Sequence, residues 1–126
     1  MPARTSVAQF EALVDRAVAA LPGWVHEHMQ NVLITTALWP SAAQQRVVHV
    51  RGQMLLGLYE GVPLTRRGSG YHLHPPDRIT LFQRPLEQVA DSEADLEGLI
   101  RDTIVHEIAH HFGFSEEDLA RLERRG

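Results

Sequence analysis

The sequence predicts an α+β fold, and three observations favour this class. β-Strand signals are confined to the middle of the chain, and helical periodicity marks both of its ends. The longest helical pattern is apolar around most of its circumference, as in a helix at the centre of a core. With 126 residues, 44% of them hydrophobic and 22% charged, residues 1–126 are expected to form one domain.

The first third of the chain predicts two helices followed by a strand. Ser6 can cap a helix whose apolar residues recur at helical spacing as far as Leu21. A shorter helical stretch covers residues 24–31. Residues 32–38 are β-branched and apolar, and Pro40 follows them, so this segment is expected to be a strand.

The middle of the chain predicts two more strands separated by a long loop. Residues 41–53 are ambiguous, and residues 46–51 can form a short strand. Residues 55–60 read as a strand with two apolar faces, which leaves open whether it lies at a sheet edge or inside the sheet. Residues 61–78 are rich in Gly and Pro and predict a loop. A third strand is expected over residues 79–84, with a connector over residues 86–91.

The last third predicts the longest helix, and a short one after it. Ser92 can cap a helix that runs to about Phe112, and Gly113 ends it. Ser115 can cap the final helix, which is expected over residues 116–124.

The long helix contains the motif His-Glu-x-x-His at residues 106–110. Residues four apart lie one turn apart on the same face, so His106 and His110 present two imidazoles to a single ion, which suits zinc. Glu107 lies at the edge of that face and can reach a metal-bound water. On a buried helix these three side chains are costly unless they are paired or coordinated, and a metal would remove that cost.

A third protein ligand is needed, because catalytic zinc usually takes three. A glycine at the end of a helix adopts the left-handed conformation and reverses the chain, so Gly113 can bring Glu116 back to the ion. The alternative is that Glu116 is only a first-turn carboxylate of the last helix. Glu117 and Asp118 are rival ligands, and Glu123 is a weaker one.

Composition narrows the classes of function. The chain has no cysteine, which excludes disulfides, thiolate metal sites and a cysteine nucleophile. Its net charge of −4 gives no electrostatic support to a nucleic-acid or anionic-membrane partner. No apolar run is long enough to span a membrane, and charged residues interrupt the N-terminal apolar stretch, so a cytoplasmic location is expected. The oligomeric state is left open.

Several segments resemble one family, the minimal zincin-like metallopeptidases of bacteria. The resemblance rests on HEIAHHFG at residues 106–113 and SEEDL at residues 115–119. It also includes LLGLYEGVPL at residues 55–64 and PDRITLF at residues 76–82. It implies a small mixed sheet packed on the active-site helix, with flanking helices.

The resemblance also implies roles for the motif residues and a function. His106, His110 and Glu116 would hold one Zn²⁺ per chain, and Glu107 would be the general base. The expected function is a zinc-dependent metallopeptidase acting on peptides or unfolded segments. Two alternatives stay open, namely a zinc hydrolase of a non-peptide substrate and a non-catalytic zinc-binding or interaction protein.

Other side chains are assigned less specific roles. The candidates for stabilising the oxyanion of the reaction are Tyr59, Tyr71, His72 and His74. Residues 55–60 are a candidate edge for pairing with an extended peptide. Five of the other histidines are expected to have ordinary structural or surface roles. These are solvation for His26 and His28, a place in a loop for His72 and His74, and packing for His111.

Overall fold

Capping residues and apolar periodicity place most of the helices and strands where the sequence predicts them. The structure, a computed structural model, describes residues 3–47, 53–61 and 75–124. These residues form, in chain order, α1 (Val7–Ala19), α2 (Gly23–His28), β1 (Val32–Ala37), α3 (Ala42–Gln45), β2 (Gly57–Glu60), β3 (Asp77–Phe82), α4 (Gln83–Val89), α5 (Glu93–His111) and α6 (Glu116–Arg124). The α+β class is confirmed.

The three described strands form one mixed sheet in the order β1-β3-β2. β1 pairs in parallel with β3, from Val32 opposite Asp77 to Ala37 opposite Phe82. β2 pairs with β3 in the antiparallel sense. Among the described strands, β2 therefore lies at an edge of the sheet, which is one of the two positions that the sequence left open for it.

α5 packs between the sheet and the N-terminal helix, where it contacts both β2 and α1. Its buried side chains recur every four residues, at Ile100, Ile104 and Ile108, and all three are fully buried. The core around them is formed by inward-facing residues of the sheet and of four other helices, among them Phe10, Leu13, Val14, Ala17, Val25, Ile79, Leu81, Leu86 and Leu119.

One prediction about α5 is wrong, because the helix is not apolar all round. His106 and His110 are exposed, and only Glu107 of the motif is partly buried. The predicted cost of burying two imidazoles without a metal therefore does not arise. The sequence pattern identified an apolar helix correctly, but it could not show that neighbouring elements leave one stripe of the helix uncovered.

Two short helices replace segments for which no helix was predicted. α4 starts directly after β3 and covers most of the expected connector over residues 86–91, so that prediction is wrong. Pro85 is the third residue of α4, where an amide hydrogen would have no helical partner, so the ring is tolerated there. α3 is capped by Ser41, whose side chain accepts from the amide of Gln44. The strand considered over residues 46–51 lies largely outside the described residues.

The predicted helix caps are confirmed. The hydroxyls of Ser6, Ser92 and Ser115 accept hydrogen bonds from amides of the first turn in α1, α5 and α6 respectively. Among the described helices, none combines the length and the hydropathy that a membrane-spanning segment requires.

A buried carboxylate joins the N-terminal segment to α4. Oε2 of Glu87 accepts hydrogen bonds from the backbone N–H and the hydroxyl of Thr5, both at 2.6 Å. Oε1 accepts from the Arg84 guanidinium at 2.6 Å, and the side chain of Glu87 is 3% exposed. Burial alone would raise the pKa of Glu87, but the hydrogen bonds from Thr5, Arg84 and Gln83 outweigh it and lower the pKa below its ordinary value.

Candidate metal centre

Two imidazole rings on successive turns of α5 form the centre of the candidate site. His106 and His110 are four residues apart, so they lie on the same face of the helix. Their ring centroids are 6.3 Å apart, and the ring planes meet at 79°. Both residues are exposed, so an ion arriving from solvent can reach both rings.

A main-chain carbonyl orients the first of these rings. Nδ1 of His106 lies 2.8 Å from the backbone oxygen of Asp102. A carbonyl oxygen only accepts, so Nδ1 carries a hydrogen, and in the neutral ring Nε2 is the nitrogen that can bind a metal. Histidine ligands of metals usually donate their other ring N–H to such an acceptor, which fixes the tautomer and raises the basicity of the ligating nitrogen.

The end of α5 turns the chain back at a glycine, as predicted. Gly113 has a φ of +82°, and it is the one residue with positive φ among those described. The amide of Phe114 donates to the carbonyl of Ala109 at 2.8 Å. This bond, with a left-handed glycine before it, is the Schellman arrangement that ends many helices. α6 starts two residues later, at Glu116.

This reversal brings Glu116 to His110. Oε1 of Glu116 lies 4.0 Å from Nε2 of His110, and the two side chains are 77% and 64% exposed. The rival Asp118 is already engaged, because its carboxylate accepts from the amide of Ser115 and from Arg121. Glu117 and Glu123 are exposed on α6. Among the carboxylates considered as third ligand, Glu116 is the one that lies near a histidine of the motif.

In the part of the chain that the structure describes, no three His, Cys, Asp or Glu side chains are gathered closely enough to hold a metal ion as they stand. Coordination by His106, His110 and Glu116 would require side-chain rotation, since zinc takes its oxygen and nitrogen ligands at about 2.0–2.2 Å. All three side chains are exposed, so packing does not oppose such a rotation. Two imidazoles and a carboxylate form a known zinc donor set. The residues therefore fit zinc.

Glu107 lies between the histidines and the sheet. Its Oε1 accepts a hydrogen bond from the backbone N–H of Tyr59 in β2 at 2.8 Å. Burial raises the pKa of Glu107 above its ordinary value, and the Tyr59 amide and the charges of His110 and His106 offset only part of that effect. The carboxyl group thus holds a proton more readily than an exposed glutamate would, which suits a group that accepts and returns a proton.

The side chain of Tyr59 has two partners of its own. Its ring stacks on that of His111, with centroids 3.8 Å apart and planes within 14°. Its hydroxyl donates to Oδ2 of Asp77 at 2.7 Å. Desolvation by burial, together with the Asp77 carboxylate, raises the pKa of Tyr59, so the hydroxyl stays protonated. A phenol has one hydrogen to donate, so in this arrangement Tyr59 does not offer it to an oxyanion.

The other oxyanion candidates, Tyr71, His72 and His74, lie outside the described residues. Sequence reasoning missed the contact between Glu107 and the Tyr59 amide. The two residues are 48 positions apart, and a backbone donor leaves no mark in the side-chain pattern. The apolar pattern of residues 55–60 predicts a strand that can lie at a sheet edge. This pattern was the signal in the sequence that could have pointed to a contact between this segment and the helix.

Of two other histidines, one has a role different from that expected and one packs as predicted. The prediction that His28 is solvated is wrong, because its ring is partly buried and contacts the rings of Trp24, Phe112 and Phe114. Its Nδ1 also lies 2.7 Å from the carbonyl oxygen of Trp24. His111 packs, as expected, and its partner is the ring of Tyr59 at the surface.

Fold and site together define a small α+β protein whose HExxH helix lies next to a sheet edge, which is the class of the zincin-type metalloproteins. Comparison with known families agrees. A sequence model of the zincin-like metallopeptidases matches residues 29–125, and the chain belongs to that family.

A solved structure shows the same fold. It is that of a conserved hypothetical protein from Thermus thermophilus, which aligns with a TM-score of 0.52 and 23% sequence identity. The alignment covers 91% of this chain and 97% of the other. A comparison with curated proteins found no match.

Proposed function

We propose that the chain is a zinc-dependent peptidase that uses Glu107 as its general base. One Zn²⁺ would be held by His106, His110 and Glu116. The single observation that carries the proposal is the position of Glu107, which is partly buried beside the two imidazoles and held against the sheet edge by the Tyr59 amide at 2.8 Å. Zinc held only for stability needs no base beside its ligands, whereas zinc-dependent hydrolysis does.

Bound zinc would supply Lewis-acid chemistry, in which the pKa of a water ligand falls to about 7 and a carbonyl group is polarised. Glu107 would accept a proton from the attacking water as the new carbon–oxygen bond forms. It would return that proton to the amine nitrogen as the carbon–nitrogen bond breaks. A carboxylate has two oxygens, so Glu107 can perform this transfer while Oε1 keeps its bond to Tyr59.

The peptide would bind in extended form along β2. Among the described strands, β2 lies at the edge of the sheet nearest to α5. The Tyr59 amide donates to Glu107 of α5, so the outer side of the strand faces the motif. A peptide that pairs with this edge would therefore use other backbone groups of the strand. Pairing with such an edge is a common way to bind an extended peptide. The net charge of −4 gives no support to a nucleic-acid substrate. We also propose a cytoplasmic location for the protein.

The same contact supports a second candidate, a non-catalytic zinc-binding protein. Glu107 joins α5 to β2, so it has a structural role whether or not it moves a proton. Glu107→Gln separates the two functions, because a glutamine oxygen can still accept from the Tyr59 amide but the amide group cannot serve as a base.

We expect zinc-loaded wild-type protein to cleave members of a mixed peptide library, and a chelator to stop the cleavage. Glu107→Gln should bind zinc and unfold at the same temperature as wild type, but cleave at least about 100-fold more slowly. Equal cleavage by the two proteins would exclude Glu107 as the base. If both are inert while both bind zinc, the non-catalytic candidate is favoured.

A further inference from the structure

Glu107 and His111 lie one turn apart on α5, and both contact Tyr59 of β2. Residues four apart in a helix share a face, so the two side chains extend from the same side of α5. Oε1 of Glu107 accepts from the backbone N–H of Tyr59 at 2.8 Å. The ring of His111 stacks on the ring of Tyr59, with centroids 3.8 Å apart and planes within 14°. The helix therefore contacts one residue of the edge strand at two points, its main chain and its ring.

A third contact fixes the far end of the Tyr59 side chain. Its hydroxyl donates to Oδ2 of Asp77 at 2.7 Å, and a hydrogen bond to a carboxylate is stronger than one between neutral groups. Asp77 is the first residue of β3, which lies between β1 and β2 in the sheet. The Tyr59 side chain thus connects the helix that carries the motif to the middle one of the three described strands.

Three residues on successive turns of α5 face β2, namely Thr103, Glu107 and His111. Thr103 lies against Gly57, and the other two residues contact Tyr59. Glu107 is the middle member, so a packing contact lies on each side of its hydrogen bond. Placement matters for a general base, because a misplacement of about 1 Å can slow a reaction about 100-fold.

We propose that His111 and the side chain of Tyr59 are positioning residues for the general base. The ring stack and the bond to Asp77 hold the Tyr59 amide at Glu107, which fixes one carboxylate oxygen and leaves the other for proton transfer. His111 acts through Tyr59, and this gives a role to the histidine next to the motif that zinc binding does not use. The inference rests on the proposed peptidase function, but the contact it concerns can be measured without zinc or peptide.

The first test is amide hydrogen exchange, followed by NMR in the metal-free protein. The protection of the residue 59 amide is divided by that of Ile104, a fully buried residue of α5, so that local loosening is separated from global unfolding. Tyr59→Phe keeps the ring but loses the bond to Asp77, and His111→Ala loses the stack. Each should lower this protection ratio at least about threefold. An unchanged ratio in either variant would overturn the proposal.

His111→Phe and His26→Ala are the matched controls. His111→Phe keeps an aromatic ring, so it should recover most of the protection that His111→Ala loses, and it should bind zinc like the wild type. His26→Ala makes the same change at an exposed histidine of α2 and should leave the ratio unchanged. A ratio in His111→Phe as low as in His111→Ala, or a loss of zinc in His111→Phe, would refute the positioning role. Equal effects of the two alanine variants would refute it as well.

Peptide cleavage by the zinc-loaded protein separates this inference from the proposed function. A misplaced base slows the chemical step rather than substrate binding, so Tyr59→Phe and His111→Ala should lower kcat about tenfold with little change in KM. Cleavage with an unchanged kcat in both variants refutes the positioning role and leaves the peptidase proposal standing. If the variants lose protection while the wild type cleaves no peptide, His111 and Tyr59 still fix the Glu107 contact, and the result counts against the peptidase.

Discussion

A close approach between α5 and the sheet occurs at Gly57, and it supports a quantitative prediction. A Cβ atom at this position would lie 2.7 Å from Cγ2 of Thr103 and 3.4 Å from the carbonyl oxygen of Thr80. Carbon atoms pack best at about 3.5–4.0 Å, so Gly57→Ala must open the contact by about 1 Å. Overpacking of this kind costs about 1–3 kcal/mol. For a chain of this length the melting temperature should fall by about 3–12 °C.

The site should be affected too, because Gly57 is two residues from Tyr59 and Thr103 is four residues from Glu107. An increased separation between β2 and α5 stretches the bond from the Tyr59 amide to Glu107, now 2.8 Å long. We therefore expect Gly57→Ala to reduce peptide cleavage while zinc binding, which uses residues beyond this contact, is retained.

Thr103→Ser provides the matched control. It removes the methyl group that the new Cβ atom would meet but keeps the hydroxyl that donates to Leu99. The double variant Gly57→Ala with Thr103→Ser should recover most of the lost stability. Gly98→Ala is a second control, because its Cβ would meet nothing nearer than Arg101 at 4.0 Å. Removing a helical glycine there should raise the stability by about 0.4–1 kcal/mol.

Chemical denaturation and thermal unfolding of these four variants, beside wild type, test the reasoning. If Gly57→Ala is as stable as wild type, the close contact does not limit the packing of α5 on β2. If the double variant is no more stable than Gly57→Ala, the cost comes from a source other than the Thr103 methyl group.

Three further predictions concern the third ligand, the turn and the buried carboxylate. Glu116→Gln should weaken zinc binding at least about tenfold in a competition titration. Glu117→Gln, one residue further along α6, should leave zinc binding unchanged. Equal effects of the two substitutions would exclude Glu116 as the ligand. Gly113→Ala places a side chain at a φ of +82°, so it should lower the free energy of unfolding by about 1–2 kcal/mol. It should also weaken zinc binding, because the turn positions Glu116. An unchanged melting temperature would contradict the strain at this turn. The pKa of Glu87 is lower in the folded protein than in the unfolded chain, so its contribution to stability is present above the unfolded pKa and is lost as the pH falls through the folded pKa. Glu87→Gln should therefore destabilise the protein at pH 7 by about 1–3 kcal/mol and flatten the fall in stability on acidification, and parallel pH profiles of the two proteins would refute this.

Local signals predicted much of the fold. The long helix was expected from Ser92 to Phe112 and is observed as Glu93–His111. A serine cap determines where this helix starts, and a glycine determines where it ends and where the chain reverses. Each of these residues lies within one turn of the helix end that it determines, so the sequence reveals them. The approach of Glu116 to His110 follows from the same local turn.

Predictions failed where distant segments decide the outcome. The third strand is expected to extend to residue 84, before Pro85, but it ends at Phe82, and Pro85 lies in the first turn of α4. The end of a strand and the first turn of a helix both tolerate a residue without an amide hydrogen. The exposure of His106 and His110 depends on which elements cover α5, and helical periodicity does not contain that information. The sequence could not identify the partner of Glu107 either, because β2 comes from a distant part of the chain.

The most direct test of the account is a calorimetric zinc titration of the metal-free protein. We predict one Zn²⁺ per chain for wild type and for His26→Ala, a control at an exposed histidine of α2. We predict no binding at that affinity for the double variant His106→Ala with His110→Ala. Zinc binding that survives in the double variant, or a wild-type protein that takes up no zinc, would contradict the assignment of these two imidazoles as the metal ligands.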